Sequence, residues 1–475
     1  QFQEEVSRDL ATFLSKRPIE GVDVQRLFDL SPANTKLSNV TLLAAEAERV
    51  GRKKEALMVW NFVYERQSSP SERLQVLLHR APLLLDTGDR EASLKDLQGI
   101  SDLWKELKGC GQSDCDESKK LFRQFVVVWN QSEKTKPTAE LSKAYGFYLE
   151  AFPADVEMNL WGAEVASFQK DYVTAIARHE QAVATLKNDK DKNKLENVLL
   201  GNIELAEASG DDALLLRAQN LYLMETPTGT KRYEVQYQKA RRLYDQNQHV
   251  AAADALKILA MDAKGPKSLR KQAADLSLDA LGSLKDNDKL ISWAKEFAGA
   301  FPESAGDYNQ VGQKAVLTKS ALLAATSSAA ALAVLSDFDA KTASPEDRIL
   351  FLKNKLILAE KTGKFALARN AADELLLMKD LKTEDREFAL GRKAWLAELQ
   401  LDFASAFSAT SQMALKDQAP EQKTLKLALY ADLSGQNPVP LYQQYLKTTK
   451  DEEARRAVAS EIVRRSKDPG KEIES

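Results

Sequence analysis

Apolar positions recur at helical spacing along nearly the whole chain, with polar positions between them, and predict amphipathic helices that come in pairs. The stretch from Thr41 to Val63 shows the unit. Small Ala44 and Ala47 share one face of a first helix, Gly51 interrupts it, and Ala56, Trp60 and Val63 continue at helical spacing on a second. The same order returns at Ala163, Ala166, Lys170, Ala175, His179 and Ala182. It returns again at Ile203, Ala206, Gly210, Leu215 and Leu223, and at Leu356, Ala359, Gly363, Ala368, Ala372 and Leu375. The expected turn residues are 51, 88, 170, 210, 247, 285, 363, 401 and 435, spaced 37, 82, 40, 37, 38, 78, 38 and 34. Each of the two long intervals holds a weaker unit, one ending at Ala151-Phe152-Pro153 and one centred near Ser327. About eleven helical hairpins follow one another end to end.

Packing explains the pattern. A single hairpin cannot bury its apolar face, so neighbours stack and share a continuous core. Small residues allow close approach, and turns between antiparallel helices favour Gly, Asn or Asp. Pro153, Pro227 and Pro302 close second helices, because the residue before a proline is pushed out of helical geometry. The expected fold is all-α, an α-α superhelix. Residues 1–40 read as a helical cap, 41–450 as the repeat array with soft boundaries near 105–120 and 302–312, and 451–475 as a capping helix and tail.

On these positions the chain resembles the tetratricopeptide (TPR) family, whose unit is a 34-residue helix–turn–helix with small, aromatic and Gly positions in this order. Residues 41–63, 159–186, 197–227 and 352–378 match best. The chain departs from that pattern in its longer spacings and in Pro82, which falls inside a first helix. Another helical-hairpin repeat, such as the ring-forming helices of soluble lytic transglycosylases, stays open. The ends Ala151-Phe-Pro-Ala-Asp155 and Ala300-Phe-Pro-Glu-Ser304 resemble those of periplasmic TPR proteins of outer-membrane assembly and envelope coordination. The resemblance implies a scaffold that binds a protein or peptide partner.

Composition agrees with a helical reading. Gly is 20 and Pro 14 of 475 residues, below the roughly 7% and 5% of average chains, which disfavours turn-rich β folds. Lys+Arg 67 against Asp+Glu 70 leaves −3, without the basic excess of a nucleic-acid binder. No apolar run reaches the ~18 residues of a membrane span. The most apolar stretch, Ala321 to Leu335, reads as a buried helical pair. The chain begins at Gln1 without a leader, so a processed or truncated chain is expected, with membrane attachment only through a removed anchor or a partner. Four residues separate Cys110 and Cys115 in a Gly/Ser/Asp loop. That spacing suits a small disulfide, or two free surface thiols, better than a zinc site. With the start at Gln1, the pair favours a periplasmic or otherwise exported protein, with a cytoplasmic one as the alternative.

Motifs for nucleotide binding, for serine hydrolysis and for zinc hydrolysis are missing from the sequence, so no catalytic role and no cofactor or metal are expected. His79, His179 and His249 fall in different units, and His179 occupies a position where the repeat packs an aromatic. Glu303-Ser304 resembles the Glu-Ser pair of lytic transglycosylases without the motifs that shape their cleft. A groove along the first helices remains. Tyr237, Arg241 and Tyr244 share one stripe at i, i+4 and i+7, with Arg392 and Trp395 in similar places further on. Aromatic and Arg side chains dominate peptide-binding hot spots. The same residues also read as packing between hairpins (Tyr237, Tyr244, Trp395) and as a solvated cation (Arg241). The expected function is a non-catalytic protein-interaction scaffold in a bacterial envelope or export-linked complex. The alternative is the helical scaffold of a peptidoglycan-acting or polysaccharide-export system.

Overall fold

The computed structural model describes residues 2–107, 112–379, 381–414 and 420–465. Among the described residues every regular element is helical. Helices α1 (Phe2–Leu14) and α2 (Gly21–Leu30) precede eleven hairpins, and α25 (Glu452–Arg465) follows them. The hairpins pair α3 (Lys36–Arg49) with α4 (Lys53–Arg66), α5 (Pro70–Asp86) with α6 (Arg90–Glu106), and α7 (Gln112–Ser132) with α8 (Ala139–Ala151). Next come α9 (Val156–Phe168) with α10 (Tyr172–Leu186), α11 (Lys192–Ser209) with α12 (Asp212–Glu225), and α13 (Arg232–Asp245) with α14 (His249–Met261). Then follow α15 (Lys267–Leu284) with α16 (Asn287–Ala300), α17 (Ala305–Ala324) with α18 (Ser328–Val334), and α19 (Pro345–Lys361) with α20 (Phe365–Leu376). The last two pair α21 (Thr383–Leu399) with α22 (Phe403–Gln412) and α23 (Pro420–Leu433) with α24 (Val439–Thr448).

The chain divides into two compact units, Gln1–Lys239 and Ala240–Ser475. In the first, α4 packs on α5, α6 on α8, α8 on α9 and α10 on α11, so each hairpin covers the apolar face of the one before. In the second, α14 packs on α15, α16 on α17, α18 on α19, α20 on α21 and α22 on α23 in the same manner.

The turns follow from local chemistry. The nine described residues with left-handed backbone are Gly51, Gly88, Lys170, Gly210, Asn247, Lys285, Gly363, Leu401 and Gly435, the nine turn positions expected from the sequence. At eight of them the next residue's N–H donates to the carbonyl five residues back, as Arg52 does to Ala47 (2.9 Å), Asp171 to Ala166 (2.9 Å) and Lys364 to Ala359 (2.8 Å). The acceptor is in each case the last small or Leu position of the first helix, which fixes why that position recurs. Asp89, Asp171, Asp211, Asp286 and Asp402 then cap the second helix, each accepting from its first-turn N–H groups. The two weaker units lack a left-handed residue and rely on caps instead. Thr138 accepts from the Leu141 N–H at the start of α8, and Ser327 from the Ala330 N–H at the start of α18.

Three second helices end before proline with nearly one backbone geometry: Phe152 at φ −129°, ψ 65°, Thr226 at −123°, 70° and Phe301 at −128°, 75°. Phe301 is fully buried beside Phe297 and Tyr308. Pro82 stands inside α5, which continues through it.

Two expectations need correcting. The stretch from Ala321 to Leu335 is the end of α17, its turn and α18, but it buries only Ala331, Leu332 and Leu335, while Leu322 is 63% exposed. Its alanines make a surface hairpin with one apolar stripe. The cysteine segment is also less of a loop than expected, because α7 begins at Gln112 and carries Cys115 in its first turn. Cys110 and the Cys115 side chain lie outside the described residues, as does the tail after Arg465. No helix among the described residues is long and apolar enough to cross a membrane.

Candidate functional site

The residues expected to line a groove sit on first helices, Tyr237, Arg241 and Tyr244 on α13 and Arg392 and Trp395 on α21. Tyr237, in the first unit, is half-buried. In the second unit Tyr244 is half-buried, its ring edge-on to His249 with centroids 5.1 Å apart, and Arg241 is exposed with its Nε 4.0 Å from the Asp245 carboxylate. Arg392 lies 3.3 Å from the Glu360 carboxylate and 5.8 Å over the Phe388 ring. Burial raises the Glu360 carboxyl, and Arg392 works against that rise. Trp395, one turn on, is 39% exposed. These five side chains line none of the five clefts described in this structure, between α3 and α5, around α19 to α21, between α8 and α10, between α10 and α12, and along α7.

One cleft in the first unit has the features that the stripe on α13 lacks. It is about 630 Å³ and is lined by Lys36, Leu37 and Thr41 of α3, by Gln75 and His79 of α5, and by Trp60 of α4 between them. The periodicity dictates that arrangement: α3 and α5 are consecutive first helices, and Trp60 occupies the packing position of the intervening second helix. Glu48 organises the centre. Its Oε2 accepts from Trp60 Nε1 at 3.2 Å and lies 3.1 Å from His79 Nδ1. The His79 ring stacks on the Trp60 indole, with centroids 4.7 Å apart and planes 11° apart. The carboxylate thereby fixes the imidazole's orientation and leaves Nε2 for the cleft. At one end Phe28 carries Lys36 and Arg66 over its face, at 5.0 and 5.8 Å. An oriented imidazole stacked on a buried indole, and the Oε1 of Gln75, whose Nε2 donates to Ser118 Oγ at 2.7 Å, suit hydrogen bonding to a peptide main chain. Sequence reasoning treated Trp60 as core, which it is at 2% exposed, and His79 as isolated. Their meeting depends on Glu48, which is 12 and 31 residues away from them, and no local signal marks it.

A larger cleft, about 870 Å³, opens in the second unit between α19, the end of α20 and α21. Charges of both signs line it, and Lys353 is already paired with Asp385 at 2.6 Å.

The other expected chemistry is placed as follows. His179 is half-buried on α10, packed where a Cβ on Gly201 would come within 3.3 Å of its ring, and burial pushes it down to about 4. Its Nδ1 is buried without a partner. Glu303 lies on the exposed turn Pro302–Ser304. Its own backbone N–H and Lys267, at 3.0 Å, hold the carboxyl below its ordinary value, opposite to what a general acid needs. Among the described residues no group of three His, Cys, Asp or Glu could hold a metal ion.

No family model matches the chain, and no curated protein matches it significantly. Several solved structures match much of the chain at low structural overlap. The P58(IPK) TPR domain is 15% identical, with 84% of this chain and 98% of that chain covered and a TM-score of 0.23. The structure of Naa15/Naa10 bound to HypK-THB is 13% identical, covering 98% of this chain and 66% of that one, with a TM-score of 0.29. Yeast Tom70 is 14% identical, covering 99% of both, with a TM-score of 0.22. The hairpin geometry itself, rather than these superpositions, carries the fold assignment.

Proposed function

We propose that this TPR-like array of helical hairpins is a non-catalytic scaffold that binds a protein partner as an extended peptide in the cleft between α3 and α5. The observation that carries the reading is the Glu48–Trp60–His79 cluster. It fixes the His79 imidazole on the buried Trp60 indole between two first helices, beside Gln75, whose Oε1 can accept from a peptide main chain while its Nε2 donates to Ser118 Oγ at 2.7 Å. A photocrosslinking residue placed at Gln75 should capture the partner peptide, and His79→Ala should abolish that capture. Crosslinks from position 241 on α13, with none from position 75, would transfer the site to the stripe first expected.

The finer setting is a bacterial envelope or export-linked complex. The two cysteines, separated by four residues, support an oxidising compartment. Mass measurement after non-reducing alkylation should find Cys110 and Cys115 joined, and two alkylated thiols would favour a cytoplasmic protein. The second reading, a scaffold for a peptidoglycan-acting or polysaccharide system, needs exposed aromatic rings for sugar stacking. Trp395 is the residue that supports it.

A further inference from the structure

Exposed apolar side chains gather on the first helix of the first unit. On α1, Val6 is 49% and Phe13 64% exposed, with half-buried Leu10 between them. Spaced i, i+4 and i+7, the three form one stripe of the helix. A different stripe, Ser7, Ala11 and Leu14, is the one that α1 buries where it packs on α3. The helix is therefore apolar on two faces and uses only one of them inside its own chain. Val22 of the adjoining α2, at 59%, is exposed as well. A stack of hairpins that ends in water needs a polar outer face on its last element. α25, which closes the second unit, follows that rule. It buries Val458 and Ile462 and turns Glu453, Arg456, Ser460 and Arg464 to solvent, with Val463 its one large apolar residue so placed. α1 does not follow it.

The exposed side of the stripe carries an acid and a base, Asp9 and Lys16, and neither makes an ion pair among the described residues. Lys16 keeps the helical path beyond Leu14, because the N–H groups of Ser15 and Lys16 donate to the Ala11 and Phe13 carbonyls at 3.2 and 3.1 Å. The two charges cannot reach each other, since seven residues of helix rise about 10 Å. A second copy of the same helix can reach both. When two identical helices pair antiparallel about a two-fold axis, the same flank of each meets, and every contact occurs twice. The register that lays Leu10 on Phe13 of the second copy also brings Asp9 opposite Lys16 of the second copy. The stripe and its flank are thus complementary to themselves in shape of pattern and in charge.

We infer that the Val6, Leu10 and Phe13 stripe is a self-association surface, covered by α1 of a second copy of this chain running antiparallel to it, with Asp9 and Lys16 of the two copies paired along its flank. The inference does not rest on the α3–α5 cleft. Burial of the two Phe13 rings supplies most of the affinity. The ion pairs, being exposed, add less and fix the antiparallel direction.

The test is sedimentation equilibrium of the full chain over a range of concentrations, where a monomer–dimer equilibrium is expected. Phe13→Glu should weaken the dimer roughly a hundredfold, as each copy loses a ring that association buries. Its circular dichroism should be unchanged, because Phe13 lies outside the core of its own chain. Asp9→Lys and Lys16→Asp, made singly, should each weaken the dimer roughly two- to thirtyfold, since two exposed pairs are lost. The double variant re-forms both pairs with their signs exchanged and should return close to the original affinity, a rescue that no effect within one copy produces. A chain monomeric at every concentration would overturn the assignment and leave the face to another protein. A dimer indifferent to Phe13→Glu would overturn it by placing the interface elsewhere. A double variant as weak as the single ones would overturn the antiparallel pairing.

Discussion

Replacing two glycines of the second unit by alanine should move stability in opposite directions. Gly363 joins α19 to α20 at φ 71°, and Gly282 lies within α15 in helical geometry. At both, an added Cβ would meet no atom within 4 Å, so neither change creates a clash with a neighbour. Only backbone conformation distinguishes them. At position 363 alanine would be held in the left-handed region, which costs about 1–2 kcal/mol. The stiffer unfolded chain returns about 0.4–1 kcal/mol of that. The net loss is then roughly 0.5–1 kcal/mol, unless the turn opens and gives up the bond from the Lys364 N–H to Ala359. At position 282 the same methyl should stabilise by roughly 0.5–1 kcal/mol, because a helical glycine is the more entropically costly residue. Thermal unfolding of the full chain followed by circular dichroism should separate the two variants by about 2–8 °C, at about 2–4 °C per kcal/mol for a unit of this size. Gly363→Ala melting at or above Gly282→Ala would refute the claim that the left-handed backbone sets the turn.

Two groups of the first unit, buried Asp96 and half-buried His179, should give opposing pH dependence. Burial raises Asp96 to about 6 despite its two bonds to Arg80, so its contribution is present below its ordinary value of 3.8 and lost as pH rises through about 6. His179, lowered to about 4, contributes above its ordinary 6.5 and loses that contribution as pH falls through about 4. Asp96→Asn should unmask stability that rises with pH across this window, and His179→Phe stability that falls, each on the order of 2–3 kcal/mol by urea titration. Phe301→Ala should cost about 3–5 kcal/mol, since the ring is fully buried against Phe297 and Tyr308. Phe152→Ala, at the half-buried counterpart, should cost measurably less in the same melting assay.

What the sequence disclosed and what it hid follow one physical line. Turns are decided within about six residues, so the small residue before Gly51 and the Asp after Lys170 or Leu401 could be read directly, even where the left-handed residue is not glycine. Proline exerts its effect on the residue before it, and Phe152, Thr226 and Phe301 could be read in the same way. Clefts are decided by residues from three helices. Glu48, Trp60 and His79 meet only because α3, α4 and α5 pack, and Ser142, Gly162 and Arg178 only because α8, α9 and α10 do. Helical periodicity sets Tyr237, Arg241 and Tyr244 on one stripe of α13, but a stripe does not reveal whether a cleft lies beneath it. The burial of Arg178 on α10 depends on Gly162, sixteen residues earlier, which no local signal marks.

The hairpin turns also bear on how the chain acquires its structure. Eight of the described turns close through a bond between residues five apart, and seven second helices are capped by a side chain beside the turn. Nearly all the information for a hairpin therefore lies within one stretch of under forty residues, and contact order stays low however many hairpins are added. As synthesis proceeds, a hairpin can close once it has emerged and wait only for its successor to cover its exposed face. Folding should then advance along the chain as a travelling edge, with α25 the last to dock against α24.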